Sequence, residues 1–258
     1  MVKFPLITLF LATSSLVFGS VVEDGLKQVS MHDRVCMRAF FDDAVKMDQI
    51  GHVLYFENKP VSIIAKALKT KGRHFHDVLC LKGWYAFKRN EDLFPHPHFI
   101  FSESIIDFNK DFKALHIYLI NKKSLEICLD KHASIFKEIL GQQFNSKLFI
   151  KALEEGCSLD SLIHKNEALL GILLGFGEES SKAFRDFNED SLRDSYCSIE
   201  IKSPKGCKIQ PVVFMGNPDS MEVKALSKVY ADELEQFAKI YARKKGSLKR
   251  ILEKLCES

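Results

Sequence analysis

The chain has 258 residues, of which 46% are apolar and 28% charged, a balance that excludes a disordered polypeptide and supplies enough carbon for a sizeable core. With 37 basic against 34 acidic side chains the net charge is +3, too small by itself to indicate a polyanionic partner, so nucleic acid is not expected. None of the seven cysteines stands in a C-x-x-C unit, so the spacing indicates neither a zinc site nor a dithiol redox centre.

Residues 1–20 differ from the rest. Lys3 gives a positive start, Phe4 to Ala12 is almost unbroken apolar, and Val17-Phe18-Gly19-Ser20 supplies small residues for cleavage after Gly19 or Ser20. That order is the order of a secretory signal peptide. An uncleaved membrane anchor needs about 20 apolar residues, whereas Phe4 to Phe18 is shorter and carries Thr13, Ser14 and Ser15. The mature chain, 21–258, is therefore expected as a single α+β domain, periplasmic or secreted, with no transmembrane segment.

Ser30 can cap a helix from Met31 to about Lys46, where Val35, Ala39, Phe40 and Ala44 recur at helical spacing. After Gly51, the runs HVLYFE, Pro60 to Ala65, LCLKGWYAF, His98 to Ser104 and Ala114 to Ile120 are rich in β-branched and aromatic residues and predict strands. Their connections are short, which favours antiparallel neighbours. From Lys122 the period changes: Leu125, Cys128 and Leu129, then Ile135, Phe136, Ile139 and Leu140, predict two short helices or one broken helix. Leu148 to Leu153 predicts another, and Ser158 or Asp160 can cap a further turn.

Asn166 to Phe187 is the most apolar segment after the N-terminus. A helix over Ala168–Gly177 would be apolar all round and so enclosed, with Gly171 and Gly175 on one face against a close neighbour such as the long C-terminal helix. Next, Ser203-Pro204-Lys205-Gly206 predicts a tight turn that sets Lys202 opposite Cys207. In that register Cys197 lies about 17 Å from Cys207, beyond disulfide reach. Ile209 to Met215 predicts one more strand. A long helix follows over Asp219–Lys245, with Val223, Leu226, Tyr230, Leu234, Phe237 and Tyr241 at steps of three and four, and a short terminal helix carries Leu248, Leu252 and Leu255.

Three segments, GHVLYFENKPVSI from Gly51, HKNEALLGILLGFG from His164 and PVVFMGNPDSMEVKALSKVY from Pro211, make the chain resemble a family of uncharacterised exported proteins of chlamydial-type intracellular bacteria. The resemblance runs from about Met31 to Tyr241. It implies an envelope or host-facing location and carries over no catalytic residue.

The most chemical-looking feature is histidine. His74-Phe75-His76 and His96-Pro97-His98 are both H-x-H, which on a strand turns two imidazoles to one face. Four such nitrogens could ligate zinc, with Asp77, Glu91 or Asp92 adding a carboxylate. Against this, Lys71-Gly72-Arg73 and the prolines 95 and 97 point to loops, and H-x-H is not a zinc signature. Cys157 and His164 lack any nucleophile motif around them, and Gly175-Phe176-Gly177-Glu178-Glu179-Ser180 lacks the third glycine and preceding strand of a dinucleotide loop. The lysines and arginines late in the last helix, from Lys239 to Lys254, invite a membrane or anion reading, but acid first and base last also complements the helix dipole.

The expectation is thus an α+β fold, a small antiparallel sheet from the N-terminal half packed against helices of the C-terminal half, with a long C-terminal helix. The function expected is that of an exported non-enzymatic protein with a macromolecular partner and no cofactor. The alternative is a metal-dependent or other hydrolase using His74, His76, His96 and His98.

Overall fold

A computed structural model describes residues 21–69, 75–109, 112–186, 196–242 and 247–257. The signal-peptide segment, residues 1–20, lies outside them. Along the chain lie α1 (Met31–Met47), α2 (Ile50–Tyr55), β1 (Val61–Lys69), α3 (Phe75–Arg89), β2 (Phe99–Asn109), β3 (Phe112–Asn121), α4 (Lys122–Lys131), α5 (Ala133–Leu140), α6 (Ser146–Glu154), α7 (Leu159–Leu162), α8 (Glu167–Leu173), α9 (Glu178–Asp186), β4 (Cys197–Ile201), β5 (Val212–Gly216), α10 (Met221–Ala242) and α11 (Ser247–Cys256). Residues 21–28 are also helical. The fold is α+β, and no helix among the described residues is long and apolar enough to cross a membrane. The chain divides into two compact units: Met1–Asp42 with His74–His98 and Lys245–Ser258, and Asp43–Arg73 with Phe99–Lys244.

In the first unit, α1 and α3 pack through aromatic rings. Phe40 meets Trp84 with centres 5.4 Å apart, and Phe41 meets Phe87 edge to face at 5.3 Å. Gly83 allows the approach, since a Cβ there would overlap the Cys36 carbonyl oxygen. Cys36 and Cys80 are buried as small apolar groups. Val22 and Val29, from the first described residues, are buried in the same way.

The second unit is built on a three-stranded antiparallel sheet in the order β1-β3-β2. Val61 and Ile100 both pair with Ile120 across β3, so these side chains share a face with Tyr118. That face packs against Leu125, Leu129, Phe136, Phe149, Leu169 and Ile172. Polar side chains start the helices that cover it: Asn121, Asn145, Ser158 and Asn166 each accept a hydrogen bond from the backbone N–H three residues on. The buried Tyr118 hydroxyl donates to Asp160 at 2.7 Å, and Ser102 Oγ accepts from the Leu159 N–H at 2.9 Å, tying α7 to the sheet.

Four expectations are corrected. HVLYFE lies largely in helix α2, because Ile50, Gly51, His52, Val53 and Leu54 are all buried, and a segment enclosed on every side shows no strand alternation. LCLKGWYAF belongs to α3, where Cys80, Trp84 and Phe87 form a helical stripe of buried side chains. The β4–β5 ladder runs Ile201↔Val212 to Cys197↔Gly216, so residues 202–211 form a long connection instead of a tight turn, and Cys197 faces Gly216. Finally, α8 ends at Leu173, and Gly175 adopts φ +80° in the turn beyond it, so Gly171 and Gly175 do not share a helical face.

Candidate functional site

The histidine pairs do not assemble as the sequence suggested. His74 lies outside the described residues. His76 begins helix α3, not a strand, and is exposed, its Nε2 3.5 Å from Cys80 Sγ. His96 sits in a loop, its Nε2 2.9 Å from Glu91 Oε1. That contact, with Lys88 beside it, holds the Glu91 carboxyl down at about 2. His98 is exposed. Among the described residues, no group of three metal-capable side chains joins His76 to His96 or His98. Cys157 and His164 are both exposed, with no hydrogen bond between them. The glycine turn at residues 175–177 serves the helix after it: Glu222 accepts from the N–H groups of Glu178 and Glu179, each at 3.0 Å, and so satisfies the start of α9.

The structure instead assembles an ionisable cluster that the sequence reading did not single out. His52 of α2 and Glu233 of α10 are both buried, with His52 Nδ1 2.6 Å from Glu233 Oε2. Asn58 donates to the other oxygen of Glu233 at 2.7 Å. Beside them the buried Lys59 donates to Gln49 Oε1 at 3.0 Å and lies 5.5 Å over the Phe176 ring. Gln49 in turn donates to the Pro211 carbonyl at 2.6 Å. One turn before Glu233, Tyr230 donates to the Gly175 carbonyl at 2.6 Å and sets its ring edge-on to His52.

Burial dominates the proton affinities here. It pushes the His52 imidazole below its ordinary value despite the Glu233 carboxylate, and pushes the Lys59 ammonium down to about 8. A histidine oriented by a carboxylate through Nδ1 is the arrangement of a general base. In this cluster, however, His52 Nε2 is itself buried without a hydrogen-bond partner, so the reacting nitrogen faces the core. The pair clamps α2 to α10. The sequence signal was available: Tyr230, Glu233, Leu234 and Phe237 follow the apolar stripe of α10, and a carboxylate on a buried stripe requires an enclosed partner.

Several clefts open among the described residues of the second unit. The first, of about 380 Å³, lies between α8–α9 and the β4–β5 ladder and is lined by Leu170, Leu174, Phe176, Phe184, Val213 and Met215. Phe176 stacks on Phe214 at 5.6 Å, and the buried Ser180 Oγ in its lining has no hydrogen-bond partner. At its rim Phe184 and Val213 remain 51% and 47% exposed. The second cleft, of about 280 Å³, has Cys128, His132 and Asn58 in its wall. His132 pairs there with Glu178 at 3.0 Å, but burial pushes the Cys128 thiol up to about 12, which keeps it protonated and unlike an activated nucleophile.

No family model, curated protein or solved structure matches the chain.

Proposed function

We propose that this chain is an exported, non-enzymatic protein that binds another protein in the bacterial envelope or at the host interface. The observation that carries the reading is the apolar cleft between α8–α9 and the β4–β5 ladder, in whose lining Phe184 and Val213 stay about half exposed. The lining is mostly carbon, with Glu167 and the hydroxyls of Ser180, Ser181 and Ser198 as its polar groups, and offers apolar area for a segment of a partner. Export rests on the order of residues 1–20, and a cut after Gly19 or Ser20 falls just before Val22, the first buried residue among those described. The likeness to exported chlamydial-type proteins supports the same location.

A photo-crosslinking side chain at residue 184 or 213, carried by the full-length protein in its native cell, tests the reading. It should capture a discrete partner, and Val213→Arg in the same protein should abolish capture without loss of fold. Capture that is indifferent to Val213→Arg, or a turnover activity lost on a single side-chain change, would overturn it.

A further inference from the structure

Residues 202–211, within which the sequence predicted a tight turn at Ser203-Pro204-Lys205-Gly206, form a second feature of the surface. The segment is held in place: the Gln210 N–H donates to the Lys46 carbonyl at 2.7 Å, Ile209 is buried, and the Cys207 N–H closes a turn on the Pro204 carbonyl at 2.9 Å. The turn projects Lys205 and Lys208 along a groove of about 540 Å³. Lys46 from the end of α1 and Lys239 from α10 line the same groove, so cations from three separate elements converge. The lining contains one carboxylate, Glu235, which pairs with Lys239 at 3.1 Å. Among the described residues no carboxylate pairs with Lys46, Lys205 or Lys208, whereas Lys66, Lys122 and Lys249, for example, do have such partners. Between the cations the floor is carbon: Pro204, Ala238 and the Tyr241 ring.

We infer that this groove binds an acidic peptide segment of a partner protein, its carboxylates on Lys46, Lys205, Lys208 and Lys239 and an apolar side chain on Ala238 and Tyr241. It shares no lining residue with the apolar cleft and stands independently of that reading. Charge and floor together select the ligand class. A bare phosphate or lipid headgroup would satisfy the cations but would press its oxygens against carbon, which is unfavourable. A peptide that alternates carboxylates with an apolar residue suits both. The use of lysine and not arginine points the same way, since point charges on flexible stems accept carboxylates at varied spacing, while planar bidentate recognition needs a guanidinium. Glu235 occupies Lys239 only through an exposed pair one helical turn apart, a contact that a ligand carboxylate can exchange at little cost.

The test is fluorescence anisotropy of a labelled Asp-Asp-Phe-Asp-Glu peptide with the whole mature chain. The acidic peptide should bind at least about tenfold more tightly than Asn-Asn-Phe-Asn-Gln, and should weaken as salt rises from about 50 to about 500 mM. Lys205→Glu with Lys208→Glu, both on exposed side chains, should lower affinity about tenfold or more with the melting temperature unchanged, and Glu235→Gln should raise it about two- to threefold. Unchanged affinity in the double reversal would overturn the inference, as would absence of peptide binding at low salt. Displacement of the peptide by tripolyphosphate at lower concentration than by unlabelled peptide would assign the groove to phosphate and overturn it equally.

Discussion

Glu233 and His52, 181 residues apart in the chain, meet at 2.6 Å inside the core, and the second oxygen of the same carboxylate holds Asn58. Removing one partner of a buried pair leaves the other charge or dipole unpaired, which costs about 3–5 kcal/mol. Glu233→Ala should therefore lower unfolding free energy by about that much in urea titrations. Glu235→Ala, two residues on but exposed, should change it by less than about 0.5 kcal/mol. In a double-mutant cycle His52 and Glu233 should show a coupling of about 1–3 kcal/mol.

The ionisable groups of the second unit predict opposite slopes of stability in two pH windows. Lys66 faces two carboxylates, Asp43 at 2.6 Å and Asp48 at 3.0 Å, and can neutralise one. Burial, with Asp43 beside it, outweighs the attraction of Lys66 and pushes Asp48 up to about 6 from an ordinary 3.8. Between those values the folded chain keeps a proton that the unfolded chain has lost. Stability therefore falls as pH rises through that window, and Asp48→Asn should remove the fall. For Lys59 the sense reverses. Its folded value of about 8 lies below the ordinary 10.5, so the unfolded chain holds more protons in between and stability rises with pH. Lys59→Met should flatten that rise. The wild-type minus variant difference, taken by urea unfolding across each window, isolates the one group from all others that titrate.

Gly83 sets how closely α1 and α3 approach. A Cβ at this position meets backbone, the Cys36 carbonyl, and the Phe40 Cβ, and neither can rotate away. Gly83→Ala should destabilise by about 1–3 kcal/mol or more, even though alanine is the better helix former by about 1 kcal/mol. A lowered melting temperature with retained helical circular dichroism is the expected result; a raised one would mean that propensity outweighs packing here.

How much of this was legible in the sequence depends on whether a segment is solvated on one side. The strands at 61–69, 99–109 and 112–121 were read from β-branched and aromatic content, and the helix α10 from its apolar stripe at steps of three and four. Residues 50–55 are enclosed all round, so composition alone was left to decide, and β-branched and aromatic content pointed to a strand. In 79–87 the helical stripe of Cys80, Trp84 and Phe87 was present but masked by the aromatic content around it. A turn does form locally, over Pro204–Cys207, one residue on from the predicted Ser203-Pro204-Lys205-Gly206 and closed by the Cys207 N–H on the Pro204 carbonyl, yet the strands pair further out, from Ile201 and Val212. The proposed binding groove was hidden for a different reason. Lys46, Lys205, Lys208 and Lys239 are scattered through the sequence, and only the long connection brings them to one groove.

Gly175 and Gly156 separate two costs that a glycine can carry. Both have positive φ, +80° and +92°, a conformation that costs other residues about 1–2 kcal/mol. Around Gly156 nothing lies within 4 Å of an added Cβ, so Gly156→Ala should cost that backbone term alone. At Gly175 the Cβ would also overlap the Tyr230 hydroxyl and stand 2.9 Å from the Asn58 carbonyl oxygen. The hydroxyl that would have to move is the one that donates to the Gly175 carbonyl, and its ring lies against His52. Gly175→Ala should therefore disturb the His52–Glu233 clamp as well as the turn, and cost about 2–3 kcal/mol more than Gly156→Ala. Combining it with Tyr230→Phe distinguishes the two terms. Removal of the hydroxyl relieves the overlap, so the double variant should be more stable than the sum of the single changes implies, while a strictly additive result would locate the whole cost in the backbone.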